Sequence, residues 1–79
     1  MSANATGSPL GARQLLDLYY LDMRCHLLEV AAGLDRLDLA AGAPAARQDP
    51  RYRRLRAALG VLASDEPDRA ERFLNLFSE

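Results

Sequence analysis

Three residues that can bind metals or transfer protons are spaced to share one face of a helix. Asp22, His26 and Glu29 are four and three residues apart, and this spacing makes them neighbours on a helical surface. Imidazole and carboxylates are suitable metal ligands, and a two-fold related helix could complete the coordination shell. The familiar di-metal motif is Glu-x-x-His from several helices, whereas this chain has one His-x-x-Glu and no second histidine. We therefore interpret the three residues first as a local charge network, and keep a metal-binding helical dimer as an alternative function.

The same residues do not predict an enzyme. General acid–base catalysis needs a pocket and a shifted pKa, and a polar strip on a helix is not evidently a pocket. Cys25 and His26 are adjacent, so on a helix they point about 100° apart and cannot form a nucleophile–base pair. We expect no catalytic residue, no cofactor and no enzymatic activity.

Five arginines fall within ten residues in the middle of the chain. They are Arg47, Arg51, Arg53, Arg54 and Arg56. Such a cluster suits phosphate contacts, so a nucleic-acid-binding regulator is an alternative function. The net charge of the chain is −1, however, which gives no overall field that attracts nucleic acid. The arginines can instead pair with the carboxylates Asp17, Asp35 and Asp38, and we do not expect nucleic acid as the partner.

Helices with recognisable start and stop signals must position these groups. The predicted elements are a disordered tail at 1–8 and one helical domain at 9–79, with helices at about 9–41, 50–63 and 67–77. Gly42 suits the end of the first helix, and Pro44 prevents its continuation. Asp49 and Pro50 form an N-cap and a first-turn proline for the second helix. The sequence thus predicts an all-α fold with one long helix and two short ones.

The predicted long helix carries two apolar stripes on roughly opposite sides. The first stripe has heptad spacing and consists of Leu16, Tyr20, Met23, Leu27, Val30, Leu34 and Leu37. The second stripe consists of Leu18, Leu21, Cys25, Leu28, Ala32 and Leu39. A helix on a monomeric core needs one apolar face, and two short helices are long enough to cover one stripe only. We therefore predict a three-helix arrangement that dimerises through the second stripe.

Two polar strips separate the two stripes. The His26 strip consists of Asp22, His26, Glu29 and Arg36, and the Arg24 strip consists of Asp17, Arg24, Asp35 and Asp38. If the second stripe joins two chains, Cys25 could approach its symmetry mate. Mild oxidation would then cross-link the dimer.

Size and composition favour assembly. A chain of 79 residues has a marginal core, and its lone cysteine cannot form a disulfide within the chain. An unpaired cysteine and a start without signal-peptide features predict a cytoplasmic protein. No apolar run is long enough to span a bilayer, so we expect no membrane partner.

Two segments resemble a group of small bacterial all-helical proteins. They are LLDLYYLDMRCHLLEVAAGLDRLD and LRAALGVLASDEPDRAERFLNLFSE. The resemblance implies a natural single-domain bacterial protein and carries no activity or site residue with it. From the residues, we predict a non-enzymatic protein–protein interaction module, either a homodimer or the small subunit of a complex.

Overall fold

The computed structural model describes residues 10–78, in which all the regular secondary structure is helical and no strand occurs. The helices are α1 (Ala12–Leu39), α2 (Ala43–Ala46), α3 (Pro50–Ala63) and α4 (Arg69–Leu76). The described residues divide into two compact units, with the boundary between Arg36 and Leu37. The prediction of an all-α fold is confirmed, and the predicted tail at 1–8 lies outside the described residues.

α1 begins at Ala12, three residues later than the predicted start. The backbone N–H of Gly11 donates to Gln14 Oε1 at 2.9 Å, and Leu15 N donates to Gly11 O at 3.0 Å. This is the backward half of a capping box, in which a glutamine three residues into the helix satisfies the N-cap amide. The local hydrogen bonds at Gly11 and Gln14 therefore account for this start.

The chain after α1 contains a helix that the residue pattern did not predict, which raises the number in the described residues to four. α1 ends at Leu39 rather than at 41, and the single turn α2 occupies part of the predicted loop. Gly42 separates the two helices with φ of 83°, a left-handed conformation that glycine adopts without a steric penalty. Pro44 stops α1 from continuing, but it also suits the first turn of a new helix among alanines.

α3 has the bounds that the sequence predicts. Asp49 is its N-cap, and the Asp49 side chain accepts a hydrogen bond from the Arg51 backbone N–H at 2.8 Å. Pro50 occupies the first helical position, where a missing N–H costs nothing. The Asp-Pro signal therefore acts here as predicted.

α4 is shorter than its predicted range and starts at Arg69 rather than at 67. Asp68 precedes it in a left-handed conformation with φ of 62°, which aspartate tolerates better than most residues. Two arginines of α4 hold the preceding turn. Arg69 donates to Ser64 O at 2.6 and 2.8 Å, and Arg72 donates to Ser64 Oγ at 3.1 Å.

The buried interior of the described residues is small. Among residues 10–78, only Ala43 and Ala58 are buried, at 7% and 2% exposure, and no large side chain is fully buried. α3 and α4 contact each other, and the rings of Phe73 and Phe77 lie 5.0 Å apart between centroids. Within residues 10–78, the stability supplied by burial is therefore modest.

Candidate functional site

The His26 strip forms one contact rather than a three-residue cluster. His26 Nδ1 and Glu29 Oε1 are 3.0 Å apart, and both side chains are about three-quarters exposed. Asp22 takes no part in this contact, and no group of three metal-binding side chains occurs in the described part of the chain. The predicted charge network is thus reduced to the pair His26–Glu29, and the three candidate metal ligands do not converge.

The arginine cluster is partly occupied by contacts within the second unit. Arg47 donates to Asp38 Oδ1 at 2.8 Å, which confirms the predicted arginine–carboxylate pairing for Asp38. This hydrogen bond and the charge of Asp38 raise the pKa of Arg47 above its ordinary value. Arg53 donates to Gln48 Oε1 at 2.6 Å. Arg54 is half-buried, so fewer of the cluster's guanidinium groups are open to phosphates.

A second arginine–carboxylate pair forms at the start of α3. Arg51 donates through Nε and a terminal nitrogen to the two Asp49 oxygens, both at 3.0 Å. Together with the Arg51 backbone N–H, this contact lowers the pKa of Asp49 from 3.8 to about 2. Arg56 is exposed on the same helix. Nucleic-acid binding by the cluster stays a prediction.

A shallow concavity of about 450 Å³ lies within the second unit. Its lining residues are Leu37, Ala46, Asp49, Arg51, Tyr52 and Leu55. The two charged residues of this lining bind each other, so they form an internal pair instead of a recognition site. The residue pattern does not predict this concavity, because its walls come from three successive helices and the turns between them.

Most of the exposed large apolar side chains of the described residues belong to α1, in which no residue is buried. The four leucines of the second stripe are between 60% and 88% exposed: Leu18, Leu21, Leu28 and Leu39. Cys25 is exposed between them, with a free thiol. The exposed members of the first stripe are less open, between 40% and 59%, and Leu34 is half-buried. The leucines of the second stripe, the predicted interface, are therefore more open than the apolar residues of the first stripe, whereas Ala32 of the second stripe is half-buried.

Charged side chains border the second stripe on both sides. Asp22 and Arg36 belong to the His26 strip, and Arg24 belongs to the Arg24 strip. None of these three forms an ion pair with another residue in 10–78. The stripe is thus an apolar surface with mixed charges along its edges, which is typical of helices that pair with other helices.

None of the helices in residues 10–78 combines the length and the apolar character needed to cross a membrane. Comparisons with protein-family models, curated proteins and solved structures find no match to this chain.

Proposed function

We propose that this chain is a non-enzymatic protein–protein interaction module that forms a homodimer through the second stripe of α1. The observation that carries the proposal is the exposure of the leucines of this stripe, each at least 60% open to solvent. Isolated exposed leucines are ordinary on protein surfaces, but several of them along one side of a helix mark an interaction surface. The alternative partner is a different protein, of which this chain would be the small subunit.

The energetics of the single chain support assembly. Burying a leucine fully contributes about 1.5–3 kcal/mol, so the exposed part of each second-stripe leucine still represents about 1–2 kcal/mol. Inside the described residues, only Ala43 and Ala58 are buried. Chains of this size commonly gain stability from disulfides, metals or oligomerisation. A lone thiol, Cys25, offers no internal disulfide, and in the reducing cytoplasm it stays a thiol.

Sedimentation velocity across a range of concentrations tests the homodimer. We expect the wild-type chain to have twice its monomer mass of 8.7 kDa at high micromolar concentration. Leu28→Glu places a charge in the middle of the second stripe and should return the chain to a monomer. Leu74→Glu is the matched control, because Leu74 is exposed to a similar extent on α4, at 66% against 62% for Leu28.

The two variants distinguish a specific interface on α1 from nonspecific association of exposed apolar residues. A dimer that is lost in Leu28→Glu and kept in Leu74→Glu supports assembly through α1. An equal loss of dimer affinity in both variants would show that α1 does not form the interface by itself. A wild-type chain that stays monomeric at high micromolar concentration would overturn the homodimer.

A further inference from the structure

We infer that the second copy lies antiparallel to the first along the second stripe, with charged pairs closing both edges of the contact. This rests on the proposed function, because it specifies how the homodimer through α1 is oriented. The supporting observation is the order of charges in the two polar strips that border the stripe. Charge order of this kind sets the orientation and register of paired helices.

The first pair of charges lies in the His26 strip. Asp22 and Arg36 are fourteen residues apart, which is two heptads, so they occupy equivalent positions along the same edge. In an antiparallel pair related by a two-fold axis, each strip faces the same strip of the partner. Asp22 of either chain then meets Arg36 of the other, and the contact occurs twice. Its centre lies level with residue 29.

The second pair of charges lies in the Arg24 strip and has the opposite order. Arg24 and Asp38 are also fourteen residues apart, with the positive charge first. In the same antiparallel pair, Arg24 of one chain meets Asp38 of the other, with the centre level with residue 31. The Asp38 carboxylate already accepts from Arg47 through Oδ1, but its side chain remains about half exposed. A carboxylate has acceptor sites for more than one donor.

The two edges agree on one register. Their centres bracket Val30, and the neighbouring Ala31 and Ala32 are small enough to let two helices approach closely. In this register, residues 21–39 of both chains overlap over about 28 Å of helix. Glu29 comes near its own counterpart, and the His26 ring lies 3.0 Å from the Glu29 carboxylate of the same chain.

A parallel pair through the same stripe has like charges in contact. The two strips then face each other, and the usual heptad offset sets Asp17 of one chain against Asp22 of the other, twice. Asp35 continues the spacing of the second stripe after Ala32, so in the parallel pair it would face its own copy inside the contact, whereas in the antiparallel register it lies opposite Cys25. Arg24 and Glu29 attract in this arrangement, but two acidic contacts and an acidic layer oppose them. The charge order therefore favours the antiparallel pair.

This orientation revises the expectation for Cys25. With residue 30 at the centre, the two Cys25 residues are ten positions apart along the contact, about 15 Å of helix. A disulfide needs Cα atoms within about 7 Å. Cys25 therefore does not approach its symmetry mate, and mild oxidation should give no Cys25–Cys25 dimer.

Charge reversal at one position tests the orientation, because the two arrangements predict opposite signs. In the antiparallel dimer, Asp22→Arg puts arginine against Arg36 at both edges, and we expect the dimer dissociation constant to rise about tenfold. In the parallel dimer, the same change would place arginine against Asp17 and tighten association. Asp65→Arg is the matched control, because it makes the same charge change at an exposed position outside α1 and should leave the dissociation constant within about twofold.

A mixing experiment completes the test. Arg36→Asp alone should also weaken the dimer, and an equimolar mixture of Asp22→Arg and Arg36→Asp chains should form heterodimers at least as tight as the wild-type dimer. A tighter Asp22→Arg dimer, an unimproved mixture or a Cys25-linked dimer overturns the antiparallel order and leaves the proposed homodimer standing. A monomeric wild-type chain overturns both.

Discussion

Most of the side chains of α1 are left exposed, whereas several side chains of the α3–α4 region are buried or hydrogen-bonded within the chain. In α3–α4, Ala58 is buried, and Arg69 and Arg72 donate to the turn between the helices. In α1 no residue is buried, although this helix is the longest of the described elements. The polar groups of the α3–α4 turn therefore find hydrogen-bond partners within the chain, whereas most apolar side chains of α1 are not covered by it.

The difference separates two sources of helix stability. Caps and short-range hydrogen bonds stabilise α3 and α4 through neighbours in sequence, as the Asp49 cap and the Ser64 turn illustrate. An isolated helix is only marginally stable in water, and most helical stability comes from packing of an apolar face. α1 therefore depends on what covers its stripes.

The largest expected effect is on the stability of α1 as a function of protein concentration. If a second chain stabilises α1, its amide protection against hydrogen exchange should rise with protein concentration. The gain amounts to about 2 kcal/mol when the total concentration rises from the dimer dissociation constant to a thousand times that value, because the free monomer rises only with the square root of the total concentration. Exchange measured by mass spectrometry on peptides from 16–36 should show this gain, and peptides from 55–63 should show much less. Equal gains in amide protection in both regions would mean that α1 depends on the second chain no more than α3 does.

Next in size is overpacking at the buried alanine of α3. Ala58→Leu should lower the free energy of unfolding by about 1–3 kcal/mol, because Ala58 is only 2% exposed and has no room for three more carbons. The neighbouring Ala57 is exposed, so Ala57→Leu should change the free energy of unfolding by less than about 0.5 kcal/mol. Urea unfolding of both variants gives the comparison. A harmless Ala58→Leu would show that α3–α4 is no better packed than α1.

The arginine contact at the α3–α4 turn should have a smaller effect. Arg72→Ala removes donors to Ser64 Oγ and to the Glu66 and Pro67 carbonyls, and should cost about 1 kcal/mol of unfolding free energy. Arg72→Lys keeps the charge but loses the planar fork, so an intermediate loss in thermal unfolding is expected. Equal stability of the alanine variant and the wild type would show that the turn holds without this contact.

A stabilising change of about 1 kcal/mol is expected in the middle of α1. A Cβ added at Gly33 meets nothing within 4 Å, and alanine is the better helix former by about that amount. Gly33→Ala should therefore raise the melting temperature seen by circular dichroism without weakening the dimer. A weaker dimer would place Gly33 in a close helix crossing.

The smallest effect is the acid dependence of the α3 cap. The folded pKa of Asp49 is about 2, below its ordinary value of 3.8. Its contribution to stability is therefore complete above about pH 4 and is lost as the pH falls through about 2. Asp49→Asn keeps a capping side chain without the charge, so the variant should lose less stability than the wild type between pH 4 and pH 2. Thermal unfolding over that range measures the difference, and parallel pH profiles would contradict it.

The sequence anticipated those features that depend on short-range signals. The Asp49-Pro50 pair predicted the start of α3, and the heptad spacing predicted a long helix with two apolar stripes. Both succeed because capping and periodicity act between residues that are close in the chain. The pairing of Arg47 with Asp38 was also within reach, since opposite charges cluster on either side of one loop.

Other features depended on conformations that the residue pattern does not specify. α2 was missed because Pro44 both ends one helix and can begin another. The late start of α4 follows from the left-handed conformation of Asp68, which has no distinctive sequence signal. The Arg69–Ser64 contact could have been suspected, because Arg69 and Arg72 are one turn apart beside a polar loop. The lack of burial along α1 is a tertiary property that the stripes alone could not reveal.

Because its two apolar stripes lie on opposite sides, α1 has two separate surfaces through which other helices could bind. Occupying the second stripe leaves the first available, with its exposed members at 40–59%. Self-contact through one surface closes after two copies, whereas two different surfaces on one rod permit successive addition. If the second stripe joins two chains, the first stripe would be the surface left for a further partner.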